Sequence, residues 1–280
     1  MNGVLDQGYW PESLMTAPAD EALIHDIMEM KRLGFNMMRV HCKIEADRFY
    51  YHCDRLVMLV WQDMVNGGWN YNMPRLCYLP TFFPKLFGQK TDRTAWDRQR
   101  TGRTNMASRT LWLREAKATV RCLRNHPSIV LWVLFNEGWG QFDSALNTEK
   151  IRKLDPTRLI DSASGWFDQG AGDVVSVHNY FRKLEVVPDP QRAFAITEYG
   201  GFSLLAEDHA WNTEVYGYGQ LEDPAQLQAR YAETMAEIRA LAGKGLAAAV
   251  YTQVSDIEDE CNGLLTYDRD ECTVDKKGIQ

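Results

Sequence analysis

The sequence predicts a (β/α)8 barrel. The 280 residues suit one such domain, which needs about 250 residues. Apolar runs rich in β-branched and aromatic residues alternate with amphipathic helical patterns from end to end, which is typical of a parallel sheet. An acidic residue or a histidine stands at or just past the carboxyl end of every run, where a barrel builds its active site. These residues are Asp6, His41, Asp63, Glu137, Asp161, His178, Glu198 and Asp256.

The first third of the chain predicts three strands and two helices. Acidic residues stand in the first turn of the first helix, and Gly34 ends it. The predicted strands are Gly3–Gly8, Phe35–His41 and Met58–Asp63, and the predicted helices are Ala19–Leu33 and Asp47–Leu56. The stretch Met64–Arg103 is rich in Gly, Pro, Asn and aromatic residues. We expect it to be a long loop without regular structure, and such loops usually serve function.

The rest of the chain predicts five more strands. Asp155-Pro156 ends one helix, and another begins with a proline near its first turn. The predicted strands begin at Ile129, Arg158, Val174, Ala193 and Leu246, and the predicted helices are Asn105–Arg124, Phe142–Leu154, Pro224–Leu241 and an incomplete last helix within Asp270–Gln280. A doubly wound sheet is the alternative fold, but its Gly-rich phosphate turn is missing.

Composition narrows the class of function. The net charge is -7 and no basic stripe is present, which argues against a nucleic-acid partner. No apolar stretch reaches the roughly 18 residues of a membrane span. Six scattered cysteines without a C-x-x-C pair indicate reduced thiols and favour the cytoplasm. Residues 1–280 are predicted to be one catalytic domain, and because the start reads as a strand, we expect it to be a piece of a longer protein whose missing N-terminal region could hold an export signal.

Two glutamates stand at the ends of apolar runs on predicted strands four and seven. Glu137 follows Ile129–Asn136, and Glu198 follows Ala193–Thr197. Side chains from those strands can face each other across the barrel mouth. Glycoside hydrolysis uses such a pair, one carboxyl protonated and one ionised, and a separation of about 5–5.5 Å indicates a retaining mechanism. Repulsion by an ionised Glu198 should raise the pKa of Glu137.

No metal site is predicted. The spacing His41-x-x-x-Glu45 is helical, but His41 ends a strand, so the two side chains should not meet. The acidic run that contains Asp256 and Glu258–Glu260 is typical of a solvated loop. A metal-dependent hydrolase on the same fold is a third possibility, disfavoured because no strand offers a His-x-His pair. No cofactor is predicted.

At these residues the sequence resembles the catalytic barrel of glycoside hydrolase family 2, the group of β-galactosidases, β-glucuronidases and β-mannosidases. Asn136-Glu137-Gly138-Trp139 resembles the acid/base motif, and Thr197-Glu198-Tyr199-Gly200 the nucleophile motif. Similar segments on strands two, three and six extend the resemblance over nearly the whole chain. These segments are Asn36–His41, Leu59–Asp63 and Val177–Tyr180.

The resemblance implies a role for each site residue. Glu137 would be the general acid and then the general base, and Glu198 the nucleophile. Asn136 would donate a hydrogen bond to the sugar 2-OH, although it could instead cap the following helix. Tyr180 would hydrogen-bond the nucleophile. The remaining substrate-binding residues would be His41, Asp63, His178, Trp61 and Trp139. The aromatic residues of Met64–Arg103 would form an aglycone wall or pack on one another.

The resemblance implies a retaining exo-β-glycosidase, with β-galactosides as the default substrates. Asp275-Lys276-Lys277-Gly278 resembles the Asn-x-Lys-Gly segment of β-glucuronidases, so glucuronides remain an alternative, as do mannosides. Members of the family usually carry β-sandwich domains beside the barrel. A barrel that lacks these domains could bind carbohydrate without hydrolysing it, and this non-enzymatic function is the alternative to a glycosidase. The sequence leaves the oligomeric state open.

Overall fold

Eight parallel strands form one sheet in the order β5-β4-β3-β2-β1-β8-β7-β6. The computed structural model describes residues 1–67, 72–87, 92, 94–217 and 219–275. The strands are β1 Asn2–Asp6, β2 Met37–Val40, β3 Leu59–Asp63, β4 Ile129–Val133, β5 Leu159–Asp161, β6 Val174–His178, β7 Ala193–Gly200 and β8 Leu246–Thr252. Strand β1 pairs with both β2 and β8, as a barrel requires and as the sequence predicts.

The barrel is nearly closed between β5 and β6. No parallel ladder joins these two strands among the described residues, but the turn before β6 does. Asp173 N donates to Ile160 O (2.8 Å), and Ile160 N donates to the Asp173 carboxylate (2.8 Å). The described residues between β5 and β6, and between β6 and β7, form no helix. This side of the barrel is therefore closed by loops.

Eight α-helices lie in the described part of the chain. They are α1 Asp20–Arg32, α2 Asp47–Leu56, α3 Leu79–Phe82, α4 Pro84–Phe87, α5 Ala95–Arg100, α6 Met106–Leu123, α7 Ser144–Leu154 and α8 Pro224–Ala242. The long ones match the predicted helices within two residues at most ends. None is long and apolar enough to cross a membrane, a finding limited to the described residues.

The prediction that Met64–Arg103 has no regular structure is wrong. A π-helical turn at Pro74–Tyr78 and the short helices α3, α4 and α5 occupy much of it. Prolines at the first positions of these turns preset a helical φ, and Thr94 forms a capping box with Asp97 at the start of α5. These short helices lack a long apolar period, which hid them in the sequence. Trp69 and Tyr71 lie outside the described residues.

The predicted last helix is also wrong as far as the structure describes it. Residues 270–275 form bends and an isolated bridge between Leu265 and Cys272. Asp275 exchanges two hydrogen bonds with Gln228 at the start of α8. The lysines and the glycine of Asp275-Lys276-Lys277-Gly278 lie outside the described residues.

The barrel interior is filled by alternate residues of the strands, as expected when successive side chains point to opposite faces. This inner layer is closed to water and consists of Leu5, Met37, Trp61, Leu131, Val133, Val174, Ala195, Ala248 and Val250. Two residues further along β2 and β3 the same alternation presents polar side chains, Arg39 and Asp63. The apolar layer therefore forms the floor beneath a polar cleft.

Candidate active site

Arg39 is the centre of the cleft. It is 0% exposed and comes from β2, where the inward alternation that points Met37 to the core points Arg39 to the polar end. Its Nε and Nη2 donate to the two Asp63 carboxylate oxygens (3.0 and 2.9 Å), and Nη2 also donates to Asn136 Oδ1 (2.8 Å). Its Nη1 donates to Glu198 Oε1 and to the Thr197 carbonyl, both at 3.1 Å. One guanidinium thus joins strands β2, β3 and β7 to the loop after β4.

Glu198 reaches the cleft from an irregular part of β7. The register of β7 shifts against β8 between Ile196 and Tyr199, and the register of β6 against β7 shifts between Val177 and His178. Such bulges redirect side chains, which explains why Glu198 can join the cleft next to the inward residue Thr197. Glu198 is 3% exposed. Its Oε2 accepts a hydrogen bond from the Tyr180 hydroxyl (2.6 Å).

Glu137 lies on the loop that follows β4. The loop turns sharply at Gly138, whose φ of +65° favours glycine. A second glycine supports it from the β5–β6 loop, since a Cβ on Gly165 would lie 3.1 Å from Glu137 Cα. One carboxylate oxygen of Glu137 lies within 4.8 Å of one of Glu198. The structure therefore brings together the two glutamates that the sequence singles out.

The pKa of Glu137 is raised, in the expected direction. The walls of the cleft desolvate the carboxyl although 37% of the side chain is exposed, and this burial is the largest cause. The charges of His41 and Arg39 offset part of the rise. Repulsion by Glu198, the cause expected from the sequence, is not among the causes of this pKa shift. A cleft that excludes water favours the protonated carboxyl.

His178 lies between the two glutamates. Its Nδ1 is 2.9 Å from Glu137 Oε2 and 3.3 Å from Glu198 Oε2. Its Nε2 is 2.8 Å from Ser164 Oγ, and Ser164 Oγ donates to Thr197 Oγ1 (2.8 Å). Burial lowers the pKa of His178 to about 4, against the opposite effect of the charge of Glu198. The imidazole is therefore neutral at pH 7.

Asn136 and His41 both lie at the cleft, where the sequence predicts them. Asn136 does not cap the following helix, because α7 begins after Asp143. With its Oδ1 bonded to Arg39, its Nδ2 remains a donor. His41 Nδ1 is 3.3 Å from Asp63 Oδ2 and 3.8 Å from Glu198 Oε1. Burial alone would lower the pKa of His41, but Cys42 and Asp63 raise it well above its usual value.

The aromatic residues of the site are placed unevenly. Trp61 is 1% exposed in the barrel floor, and Trp139 is 0% exposed and packs against Phe167 (centroids 5.1 Å apart). Neither offers a ring face to solvent, so sugar contact for these two stays a prediction. The aromatic residues of Met64–Arg103 whose side chains are described and are exposed by half or more are Tyr78, Phe82, Phe83 and Trp96.

Three groups of described residues could hold a metal ion by geometry alone. Two of them share the cleft with Arg39, and the third is on the surface. In the cleft groups, both Asp63 and Glu198 are already bonded to the Arg39 guanidinium, whose charge opposes a cation. The groups are His41 with Cys42 and Asp63, Glu137 with His178 and Glu198, and His209 with Asp268 and Asp270. Glu45 does not join His41, because it pairs with Lys43 (2.7 Å).

Sequence reasoning gave no role to Arg39, Ser164 or Glu260. The signal for Arg39 was available, because a charged residue inside an apolar strand must be paired when buried. Ser164 could not be found, because it lies on the loop after β5 and its contact with His178 depends on how that loop folds. Glu260 belongs to the run expected to be a solvated loop. That expectation is wrong for Asp256, which is 2% exposed, and for the partly buried Glu260.

Comparison with known proteins identifies the family. Residues 17–237 match the family model "Glycosyl hydrolases family 2, TIM barrel domain". The chain belongs to glycoside hydrolase family 2. A β-galactosidase of Leuconostoc mesenteroides is 25% identical over 186 residues, which is 66% of this chain and 15% of that protein. A β-mannosidase B of Aspergillus clavatus is 31% identical over 116 residues, 41% of this chain and 10% of that protein.

Solved structures agree with the family 2 barrel fold. A β-galacturonidase of Eisenbergiella tayi has a TM-score of 0.68 at 17% identity and covers 99% of this chain and 49% of its own. A β-glucuronidase of Parabacteroides merdae has a TM-score of 0.65 at 14% identity, covering 97% of this chain and 35% of its own. This chain thus spans half or less of the proteins it matches.

Proposed function

We propose that this family 2 barrel is the catalytic domain of a retaining exo-β-glycosidase that hydrolyses terminal β-linked sugars, β-galactosides first among them. The observation that carries the proposal is the separation of less than 4.8 Å between carboxylate oxygens of Glu137 and Glu198. Retaining enzymes hold the two carboxyls about 5–5.5 Å apart, whereas inverting enzymes leave room for a water at about 6.5–9.5 Å.

Glu198 is the proposed nucleophile. Its Oε atom attacks the anomeric carbon while the glycosidic C–O bond breaks, and a glycosyl ester forms. Arg39 and Tyr180 donate hydrogen bonds to its two oxygens. Both donors are held by other parts of the site, Arg39 by Asp63 and Tyr180 by the nearby Thr252 Oγ1 (3.2 Å). The anion therefore keeps one orientation.

Glu137 is the proposed acid and base. It gives its proton to the leaving oxygen in the first step, and in the second it takes a proton from the water that attacks the glycosyl ester. His178 supports the protonated form. The Ser164 hydroxyl donates its proton to Thr197, so its oxygen accepts a hydrogen bond from His178 Nε2–H. The other ring nitrogen, His178 Nδ1, then carries no proton and accepts a hydrogen bond from Glu137. An acceptor beside a carboxyl stabilises its neutral form.

The choice of β-galactosides rests on the names of curated relatives, and β-mannosides and β-glucuronides remain alternatives. The domain limits, with β-sandwich domains elsewhere in the natural protein, also stay a proposal.

All six cysteines are free, which fits the reducing cytoplasm proposed as the compartment of the protein. The second candidate function is a barrel that binds carbohydrate without turnover.

The test is release of nitrophenol from β-galactoside, β-glucuronide, β-mannoside and β-glucoside. We expect one sugar to be turned over by the wild type, and Glu198→Gln to lower kcat on the order of 10^4-fold or more, the scale seen when a nucleophile is removed. NMR of the first sugar released should give the β-anomer. Undiminished turnover in Glu198→Gln would contradict the nucleophile assignment, and binding without turnover would favour the second candidate.

A further inference from the structure

A group of buried polar side chains adjoins the nucleophile at the end of β8. Thr252, the last residue of β8, lies beside the Tyr180 hydroxyl that bonds Glu198. The next residue, Gln253, is 0% exposed. Its Nε2 donates to Asn262 Oδ1 (2.7 Å) and to Glu260 Oε2 (3.4 Å). One buried amide thus ties the loop that follows β8 to the end of that strand.

Three polar atoms around this amide have no hydrogen-bond partner in the described structure. They are Gln253 Oε1, Asn262 Nδ2 and the hydroxyl of Ser203, which is 1% exposed. Ser203 borders the same space as Asn262, since a Cβ on Gly217 would lie 2.5 Å from Ser203 Oγ and 3.9 Å from Asn262 Nδ2. Buried polar groups in native proteins nearly always have partners, so these atoms call for a bound water or a ligand.

Glu260 brings a third carboxyl to the same cleft. Burial and the negative charges of Glu198 and Glu137 raise its pKa to about 7, while His41 acts in the opposite direction. The charges of Glu198, Glu137 and His41 therefore act on Glu260 across the cleft. Glu260 is only partly buried, so its carboxyl can meet a ligand.

Among the described residues, neither Arg39 nor Lys43 has a free hydrogen-bond donor for an anionic ligand. Arg39 has five N–H donors, and Asp63, Glu198, Asn136 and the Thr197 carbonyl take all of them. Lys43 has three, which Asp6, the Gly8 carbonyl and Glu45 take. A sugar carboxylate placed beside Glu260 would face like charge without a compensating donor from either residue.

We propose that Gln253, Glu260 and Asn262 bind hydroxyl groups of the glycone, and that the Glu260 carboxyl makes this pocket select a neutral sugar over the corresponding uronic acid. The inference rests on the proposed function, because it takes the cleft to be the sugar site. Gln253 Oε1 accepts from a sugar hydroxyl, and Glu260 accepts from a second one. A uronic acid would bring a second carboxylate to a group that is already crowded with negative charge.

The test uses two nitrophenyl glycosides that differ only at C6, a β-galactoside and a β-galacturonide, together with calorimetric binding of galactose and galacturonate. The variants are Glu260→Gln, Gln253→Met and the control Glu258→Gln, which removes one charge from an exposed position in the same loop. Thermal melts check that each variant folds. The wild type should favour the galactoside by kcat/KM at pH 8, where Glu260 is ionised.

We expect Glu260→Gln to reduce the preference for the neutral sugar by about 10-fold or more and Glu258→Gln to leave it unchanged, because a like charge in contact costs far more than a solvated one. Gln253→Met should weaken both sugars alike. A wild type that prefers the galacturonide, or a preference that Glu260→Gln leaves intact, would overturn the inference.

The two proposals fail in different ways. If the wild type releases no nitrophenol but binds galactose better than galacturonate, and Glu260→Gln abolishes the difference, the pocket assignment stands and catalysis by this chain does not. If turnover occurs with equal kcat/KM for both glycosides, catalysis stands and the pocket assignment is wrong. If neither sugar is bound or turned over, the pocket assignment and the choice of β-galactosides as substrates are both wrong.

Discussion

The acidic residues at the strand ends fall into two regions that the sequence does not distinguish. Near β3, β4 and β7, Asp63, Glu137 and Glu198 gather in the cleft that Arg39 and His178 organise. Near β1, β5 and β8, Asp6, Asp161 and Asp256 stand at equivalent places but bind local partners. These partners are Lys43, the Ser176 hydroxyl and the Gly263 amide.

The difference lies in what each carboxylate meets. Around Arg39, one guanidinium binds two carboxylates and one amide. Its positive charge offsets the charge of the buried carboxylates, which can therefore lie at the cleft. In the second region each carboxylate is buried beside its own partner. Burial raises the pKa of Asp161 and Asp256 to about 7 and that of Asp6 to about 6. Position at a strand end therefore predicts burial, and the partners decide which carboxylates can act.

Removing Arg39 should have the largest effect on the difference between the two acidic regions. Arg39→Met leaves Asp63 buried without its partner, and breaking a buried pair costs about 3–5 kcal/mol of unfolding free energy. Urea denaturation at pH 7 measures the loss. Arg32→Met removes the exposed i, i+3 pair with Glu29 and should cost no more than about 1 kcal/mol. Equal losses in the two variants would mean that Arg39 does not hold the cleft together.

Tyr180→Phe tests the orientation of Glu198 without changing its charge. A hydrogen bond to a charged group contributes about 1.5–3 kcal/mol, so kcat should fall about 10- to 150-fold. Steady-state kinetics on the preferred glycoside give the value, with Tyr51→Phe, whose ring is exposed, as the control. A kcat that stays within a factor of two would show that Glu198 does not depend on this donor.

Ser164→Ala should shift the basic limb of the pH profile of kcat/KM rather than abolish activity. Without Ser164, His178 can place its proton on Nδ1 and donate to Glu137, which favours the ionised carboxyl and lowers its pKa. Since the acid must be protonated, the basic limb of kcat/KM should shift to lower pH. Ser176→Ala, a buried serine on β6 that bonds Asp161, serves as the control. An unchanged basic limb would contradict the assignment of the His178 proton to Nε2.

Asp161→Asn should change stability and leave kcat alone. The folded-state pKa of about 7 lies above the unfolded value, so the wild type has this contribution in full at low pH and loses it as the pH rises from the unfolded value to about 7. The variant cannot ionise there and should lose less stability between pH 5 and pH 8. Melting temperatures across that range measure this. A large fall in kcat would place Asp161 in the working region instead.

The sequence predicts the barrel well because its signals are local and repeated. Apolar runs, helix caps and the Asp155-Pro156 stop give most boundaries within two residues. It also finds both glutamates and Tyr180, because their motifs are contiguous. It misses the short helices of Met64–Arg103, where the apolar period is too brief to read. It misses Ser164 and Glu260, because their contacts depend on how the loops after β5 and β8 fold back toward the strand ends.

The most direct test of the central claim is to trap the glycosyl ester. A nitrophenyl or dinitrophenyl 2-deoxy-2-fluoro-β-glycoside of the preferred sugar slows both steps, because fluorine destabilises the oxocarbenium-like transition state, and a good leaving group lets the first step outrun the second. Intact mass followed by peptide mapping locates the adduct. The account predicts one added sugar per chain, on the peptide containing Glu198 and absent from Glu198→Gln. An adduct on Glu137 or another carboxylate would contradict it, as would turnover that releases the α-anomer first.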